Sequence, residues 1–198
     1  MKKTITVSIV DDETDLREHI AGYLAAAGNI RCVSAYASAE EALKHLPQDK
    51  PDVILMDINL GDMDGIECVR RLTALMSEAQ VLMLTVFDDT DQIFRALAAG
   101  ASGYLLKRLS PKKGGSAIEE GGSGGSPVSA AIARKLCGEF LVHVTQVRDV
   151  IQRVGQLPFR QRAARPVREL RALVDLHRAH VRYEVVVADL VAKAADHR

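Results

Sequence analysis

Residues 52–57 read Asp-Val-Ile-Leu-Met-Asp, a run of four apolar side chains that ends on an acidic one. Four consecutive apolar residues leave no polar side to face water, which is typical of a strand covered on both faces of a parallel sheet. The run is also shorter than a buried helix usually is. The stretch therefore predicts an interior strand over Asp52–Met56, with the carboxylate of Asp57 at its carboxyl end.

The same alternation continues through the first 107 residues of the chain. The other predicted strands are Ile5–Val10, Arg31–Tyr36, Val81–Leu84 and Tyr104–Leu106. The stretches with apolar residues at helical spacing, which we predict to be helices, are 14–27, 38–46, 65–75 and 90–99. Pro47 is predicted to end the second of these helices. Strands alternating with helices predict an α/β fold, a doubly wound five-stranded parallel sheet of the flavodoxin-like type.

The helix that should close the layer after the fifth strand is poorly specified. Residues 112–126 contain six glycines in fifteen positions, and each glycine in a helix costs about 1 kcal/mol relative to alanine. We expect a short or frayed helix here. On this basis the chain divides into a first domain over 1–111, a Gly/Ser-rich degenerate helix and linker over 112–128, and a C-terminal segment over 129–198.

The C-terminal segment is predicted to be α-helical. An amphipathic helix is expected over about 129–157, followed by helices rich in basic residues. Its apolar positions are spaced 3-4-3-4-3, and they are Cys137, Phe140, Val144, Val147, Ile151 and Val154. Such a heptad seam indicates either dimerisation or packing of the helix against the rest of the tail. Residues 139–198 carry 11 basic and 7 acidic side chains, a balance of +4 that permits contact with nucleic acid.

Charged and hydroxyl side chains directly follow the predicted strands. Asp11 and Asp12 follow the first strand, Asp57 the third, Thr85 the fourth and Lys107 the fifth. Because the carboxyl ends of parallel strands meet at one edge of the sheet, we expect these side chains to converge. Three carboxylates at one small site repel each other unless they hold a cation, and all-oxygen ligands favour Mg²⁺ or Mn²⁺.

These residue types complement one another as a phosphoryl-acceptor site. The carboxylate of Asp57 can act as the nucleophile that forms an aspartyl phosphate. Lys107 supplies a positive charge for one phosphate oxygen, and Thr85 supplies a hydroxyl donor for another. An enzyme of the haloacid dehalogenase type would need a second aspartate two residues after the nucleophile, and that position is Asn59.

Four segments resemble the signature segments of response-regulator receiver domains, the CheY-like domains of two-component signalling. They read IVDDE, VILMDINLGDMDG, MLTVFDDTD and ASGYLLKR, and the resemblance covers about residues 4–111. It implies that Asp11, Asp12 and Asp57 bind Mg²⁺ together with the backbone carbonyl of Asn59.

The resemblance also implies a switch pair and a partner. Thr85 and Tyr104 match the switch residues, and the phosphoryl donor would be a sensor histidine kinase. Phosphoryl transfer and hydrolysis would be self-catalysed, so the domain would be a signalling switch in a phosphorelay and not an enzyme. The sequence departs from the family at Val86, where a small residue is usual, and at Gly61, where a proline is usual.

A further segment, GGSPVSAAIARKL at residues 124–136, resembles the stretch that joins a receiver to a LuxR-type helix-turn-helix. It implies a transcriptional regulator that binds DNA through the basic C-terminal segment. Residues 168–169 and 183–190 echo only the opening helices of such a module, and we expect the helix-turn-helix to be incomplete in this chain. Phosphorylation that switches dimerisation is the leading hypothesis, and DNA binding is the alternative.

Composition and cysteine usage favour a cytoplasmic protein. The sequence is 47% hydrophobic and 26% charged, which is typical of a globular protein with a substantial core. No run of about 18 apolar residues predicts a spanning helix, and the three cysteines form no Cys-x-x-Cys pair. We expect no membrane partner.

Overall fold

Strands and helices alternate along the part of the chain that the computed structural model describes, residues 4–26, 28–108, 110–129 and 131–138. The strands are β1 (Ile5–Val10), β2 (Ile30–Tyr36), β3 (Val53–Met56), β4 (Gln80–Thr85) and β5 (Gly103–Leu106). The helices between and after them are α1 (Thr14–Ala26), α2 (Ala39–Asp49), α3 (Gly65–Leu75), α4 (Thr90–Ala99) and α5 (Pro111–Gly122).

The strands form one parallel sheet with the order β2-β1-β3-β4-β5. This order confirms the predicted doubly wound, flavodoxin-like sheet. All four residues of β3 are buried, as the apolar run predicts. The strand order reverses between β1 and β3, and in open sheets of this kind ligands bind beyond the carboxyl ends of the strands at that reversal.

Helices cover both faces of the sheet. On one face, Leu24 of α1 and Ile118 of α5 join a core cluster with Val7, Leu55 and Leu105 of the sheet. Successive side chains of a strand point to opposite faces, and the intervening residues, such as Ile54 and Met56, are equally buried on the other face. There α2 contacts α3, and α3 contacts α4. The apolar strands are therefore enclosed from both sides.

The second helix runs past the predicted stop. We predicted that Pro47 would end it after Leu46, but α2 continues to Asp49 with Pro47 inside it. A proline lacks the N–H that would bond to the carbonyl four residues earlier, so at this position only the carbonyl of Leu43 loses that partner. The helix is capped directly after Asp49 by Lys50, which adopts a left-handed conformation and donates its N–H to the carbonyl of Leu46. The predicted end at residue 46 is wrong because a proline in the last turn disturbs little of the helix.

The expectation of a short or frayed helix after residue 111 is also wrong. The glycine-rich stretch forms α5, a helix of 12 residues. Ala117 and Ile118 are 8% and 3% exposed and anchor it on the sheet. A Cβ atom at Gly121 would lie 3.0 Å from a methyl carbon of Leu82, and one at Gly122 would lie 3.0 Å from a methyl carbon of Ile5. Tertiary contact at close range offsets the low helix propensity of glycine.

The chain divides into two compact units with a break after Ser129. The first unit therefore extends beyond the border predicted at residue 111, because α5 packs against the sheet. Residues 131–138, which belong to the second unit, are helical. The heptad seam beyond Gly138 and the basic helices lie outside the described residues and stay predictions. In the described ranges, every helix is too short or too polar to cross a lipid bilayer.

Candidate functional site

Backbone hydrogen bonds at the carboxyl edge of the sheet fix the residues that follow β3 and β5. The N–H of Asp57 donates to the carbonyl of Val10 at 2.9 Å, so the first turn after β3 is tied to the end of β1. The N–H of Lys107 donates to the carbonyl of Thr85 at 2.8 Å, which ties the end of β5 to β4. The strand ladder therefore continues one residue past the strands and sets the positions of Asp57 and Lys107.

Three aspartates meet at this edge, as predicted. Ligand oxygens of Asp11, Asp12 and Asp57 all lie within 4.8 Å of one another. Asp11 is 2% exposed and Asp57 is 4% exposed, whereas Asp12 is open to solvent. Buried carboxylates so close together need positive charge nearby. The three carboxylates form an all-oxygen donor set whose chemistry fits a hard divalent cation.

Lys107 supplies positive charge to this cluster. Its Nζ lies 2.8 Å from Oδ2 of Asp11 and 2.8 Å from Oδ2 of Asp57. Burial alone would lower the pKa of Lys107, but the hydrogen bonds and charges of Asp11 and Asp57 outweigh it and raise the pKa. The pKa of Asp11 is raised because its burial outweighs the opposite effect of Lys107. The ammonium therefore stays protonated and bridges two buried carboxyl groups.

The loop after β1 is fixed by a residue that the sequence analysis did not single out. Arg17 lies near the start of α1. One of its terminal guanidinium nitrogens donates to the backbone carbonyl of Asp11 at 2.6 Å, and the other terminal nitrogen donates to Oγ1 of Thr14 at 3.0 Å. The N–H of Glu13 donates to Oδ1 of Asp11 at 3.0 Å. Arg17 therefore both positions the acidic loop and adds positive charge beside it. An arginine that binds a backbone carbonyl leaves no motif in the sequence.

The loop after β3 is held equally closely. The N–H of Ile58 donates to Oδ1 of Asp57 at 2.7 Å. At the start of α3, the N–H of Gly65 donates to the carbonyl of Ile58 at 2.8 Å. A Cβ atom on Gly65 would lie 1.8 Å from the carbonyl oxygen of Asp57. Only a residue without a side chain allows α3 to begin this close to Asp57.

A cleft of about 210 Å³ opens over Asp57. Its lining residues are Asp12, Glu13, Asp57, Asn59, Val86, Phe87 and Lys107. Asn59 thus lies beside the acidic cluster, as predicted. Val86 is 68% exposed at the edge of the cleft, so most of this residue faces solvent.

Thr85 and Tyr104 meet at the loop that follows β4. Thr85 is fully buried, and its Oγ1 accepts a hydrogen bond from the N–H of Phe87 at 3.4 Å. The hydroxyl of Tyr104 donates to the carbonyl of the same Phe87 at 3.0 Å. Burial raises the pKa of Tyr104, with smaller contributions from the charges of Asp89, Asp88 and Asp57. Both predicted switch residues therefore hold one backbone unit, Phe87, on the rim of the cleft.

Comparison with known proteins agrees with this geometry. The family model described as the response regulator receiver domain matches residues 7–119. The response regulator protein VraR of Staphylococcus aureus is 36% identical over 133 residues, which are 67% of this chain and 64% of that protein. The chain thus spans a little less than two thirds of the length of these relatives.

Solved structures show the same fold. A two-component response regulator of the LuxR family from Aurantimonas sp. is 28% identical, with a TM-score of 0.66 over 70% of this chain and 99% of that one. The signal receiver domain of NarL from Mycobacterium tuberculosis is 25% identical, with a TM-score of 0.60 over 62% of this chain and 99% of that one. Since the family model covers more than half of the sequence and the fold and acidic cluster agree with it, the chain belongs to the response regulator receiver domain family.

Proposed function

We propose that Asp57 accepts a phosphoryl group from the phosphohistidine of a sensor histidine kinase. One observation carries the proposal: a buried carboxylate with two more acids beside it, bridged by Lys107, lies at the base of an open cleft. Burial of a carboxylate among like charges costs free energy, and an acid that only caps a turn does not require such burial.

The transfer follows from the positions of the chain's own groups. A carboxylate oxygen of Asp57 forms a bond to phosphorus as the bond between phosphorus and the kinase imidazole nitrogen breaks. The imidazole, which already carries a proton on its other ring nitrogen, keeps the electron pair of the broken bond and leaves as a neutral ring. The ammonium of Lys107, 2.8 Å from Oδ2 of Asp57, offsets the charge that the phosphoryl oxygens bring. Thr85 supplies a hydroxyl that can turn from the N–H of Phe87 to a phosphoryl oxygen.

We further propose that Asp11, Asp12, Asp57 and the backbone carbonyl of Asn59 hold Mg²⁺, or Mn²⁺ in its place. The bound ion would neutralise charge on the transferring group. The exposed carboxylate of Asp12 leaves the ion a path from solvent. Hydrolysis of the aspartyl phosphate would occur at the same site, so the domain would turn over no separate substrate.

The Asp57→Asn variant tests this proposal. Asparagine keeps the size of the side chain but lacks the nucleophilic oxygen, so we expect no phosphorylation by acetyl phosphate and Mg²⁺. Phosphate-affinity electrophoresis of the wild-type protein should show a shifted band that disappears with EDTA. Asp62→Asn, at an exposed aspartate in the loop before α3, is the matched control and should shift like the wild type. An equal shift in Asp57→Asn, or none in the wild type, would contradict the proposal.

We propose that phosphorylation switches dimerisation through Thr85 and Tyr104. When the hydroxyl of Thr85 turns to the phosphoryl group, Phe87 loses one of its two hydrogen bonds, and the exposed side chains of Val86 and Phe87 can change position. Exposed apolar side chains that move are suited to forming an interface. DNA binding through the basic tail is the alternative output.

Mass measurement with and without a phosphoryl mimic tests the switch. We expect light scattering after size exclusion to give a higher mass for the wild type with beryllium fluoride and Mg²⁺, and no change for Thr85→Val. An unchanged mass in the wild type, with salt-dependent binding of duplex DNA gained instead, would favour the alternative.

A further inference from the structure

A second cavity shares the lining residue Lys107 with the acidic cleft. It measures about 220 Å³, is partly open to solvent, and is lined by residues of α1, α5 and the sheet. Most of its wall is apolar, with Leu16 and Ile20 from α1, Leu84 and Leu105 from the sheet, and Ile118 from α5.

Gly114 of α5 lines the cavity and leaves its wall without a side chain at that point. In a helix, residues three and four positions apart share a face, so Gly114 lies on the face that Ala117 and Ile118 bury against the sheet. A Cβ atom at Gly114 would meet no other atom within 4 Å. Leu84, although it belongs to the interior strand β4, is only partly buried. A large apolar side chain at position 114 would fill the cavity.

Few polar groups border the cavity, so its lining favours a mainly apolar ligand. His19, Tyr23 and Ser110 contribute to its lining, whereas the walls against the sheet are leucines. Apolar cavities of about 150 Å³ lined by leucine, isoleucine and phenylalanine bind benzene. A volume of about 220 Å³ is enough for one aromatic ring with a small polar substituent. The ammonium of Lys107 in the lining already binds Asp11 and Asp57 at 2.8 Å each, so a charged ligand would lose its hydration against the leucines with little ion-pairing in return.

We propose that this cavity is a binding site for a small uncharged aromatic molecule of the size of phenol or indole. The ring would contact Leu84, Leu105 and Ile118, and its polar atom would lie near Ser110 or His19. Lys107 lines both this cavity and the acidic cleft, so an occupant would contact a residue of the phosphoryl-acceptor site directly. The binding itself does not depend on phosphorylation.

Methyl NMR on the full-length chain with indole, phenol and benzene tests the proposal. We expect saturable shifts of the methyl resonances of Leu84, Leu105 and Ile118, together with nuclear Overhauser contacts from the ring. The Gly114→Leu variant should lose both, because its side chain fills the space. Gly22→Leu is the matched control, since Gly22 is an exposed glycine of α1 with no atom within 4 Å of a Cβ, and it should bind like the wild type.

Three results would overturn the proposal. They are the absence of saturable shifts in the wild type, undiminished binding by Gly114→Leu, and equal loss of binding by Gly22→Leu. If Gly114→Leu does not fold, Gly114→Ala replaces it, because the added methyl fits the open space and should weaken binding without preventing it. Equal affinity of Gly114→Ala and wild type would then count against the site.

Discussion

The Gly65→Ala variant is expected to be strongly destabilised and to lose most of its phosphorylation by acetyl phosphate. The added Cβ would lie 1.8 Å from the carbonyl oxygen of Asp57 and 2.9 Å from its carbonyl carbon. Both are backbone atoms, so no side-chain rotation can relieve the clash. The start of α3 or the loop after Asp57 must move, and we expect a loss of about 3 kcal/mol in the free energy of unfolding, at the upper end for overpacking.

Urea unfolding followed by circular dichroism measures this loss. The matched control is Gly22→Ala, because a Cβ on Gly22 meets no atom within 4 Å in the middle of α1. It should gain up to about 1 kcal/mol from the higher helix propensity of alanine. Similar unfolding midpoints for Gly65→Ala and the wild type would show that α3 can begin without this close approach to Asp57.

Replacement of Lys107 by methionine is expected to lower the free energy of unfolding of the metal-free protein by on the order of 2 kcal/mol. This loss is smaller than that expected for breaking a fully buried ion pair, because the side chain of Lys107 is partly exposed. Methionine keeps the length and apolar character of the stem but leaves Asp11 and Asp57 without their shared ammonium, 2.8 Å from each. Phosphorylation should fall strongly for the same reason.

The dependence of the stability of Lys107→Met on pH and on Mg²⁺ distinguishes the effect of the lost charge from that of altered packing. The pKa of Asp11 is already raised by burial, so its charged form opposes folding. Without Lys107 the pKa rises further, and lost stability should return as pH falls through that raised pKa and Asp11 becomes neutral. Added Mg²⁺ should stabilise the variant more than the wild type, because it replaces the missing charge.

Arg108→Met is the matched control for the loss of a nearby cation. Arg108 forms an exposed ion pair with Asp88 at 2.9 Å, and such surface pairs contribute about 0–1 kcal/mol. Thermal unfolding across pH 4.5–8 should therefore separate the two variants. If Lys107→Met were no less stable than Arg108→Met, the bridge between Asp11 and Asp57 would have no stabilising effect.

The sequence predicted the sheet and the acidic cluster well because both depend on simple patterns. The run Val53–Met56 and the acid that follows it are set by burial and strand length, which leave a continuous apolar stretch in the sequence. The bounds predicted for α3 and α4 agree with the structure. Their starts carry Asp64 and Asp89, whose side chains accept from the N–H of Glu67 and of Gln92.

The errors have different physical causes. Pro47 should stop a helix by local rules, but in the last turn of α2 it removes only one hydrogen bond. The glycines of α5 have low helix propensity, but Gly121 and Gly122 allow the helix to approach Leu82 and Ile5. Arg17 was missed because its partner is a backbone carbonyl, which every residue has.

The two halves of α5 should differ in the substitutions that they tolerate. At Gly114 nothing lies within 4 Å of a Cβ, whereas at Gly121 and Gly122 a Cβ would press on Leu82 and Ile5 at 3.0 Å. In a library that randomises all three positions and is selected for folding, position 114 should accept many residue types, including large apolar ones. Positions 121 and 122 should accept fewer and smaller residues, because Leu82 or Ile5 must shift by a few tenths of an ångström to admit a Cβ atom. One short helix would then contain a freely variable position and two constrained ones.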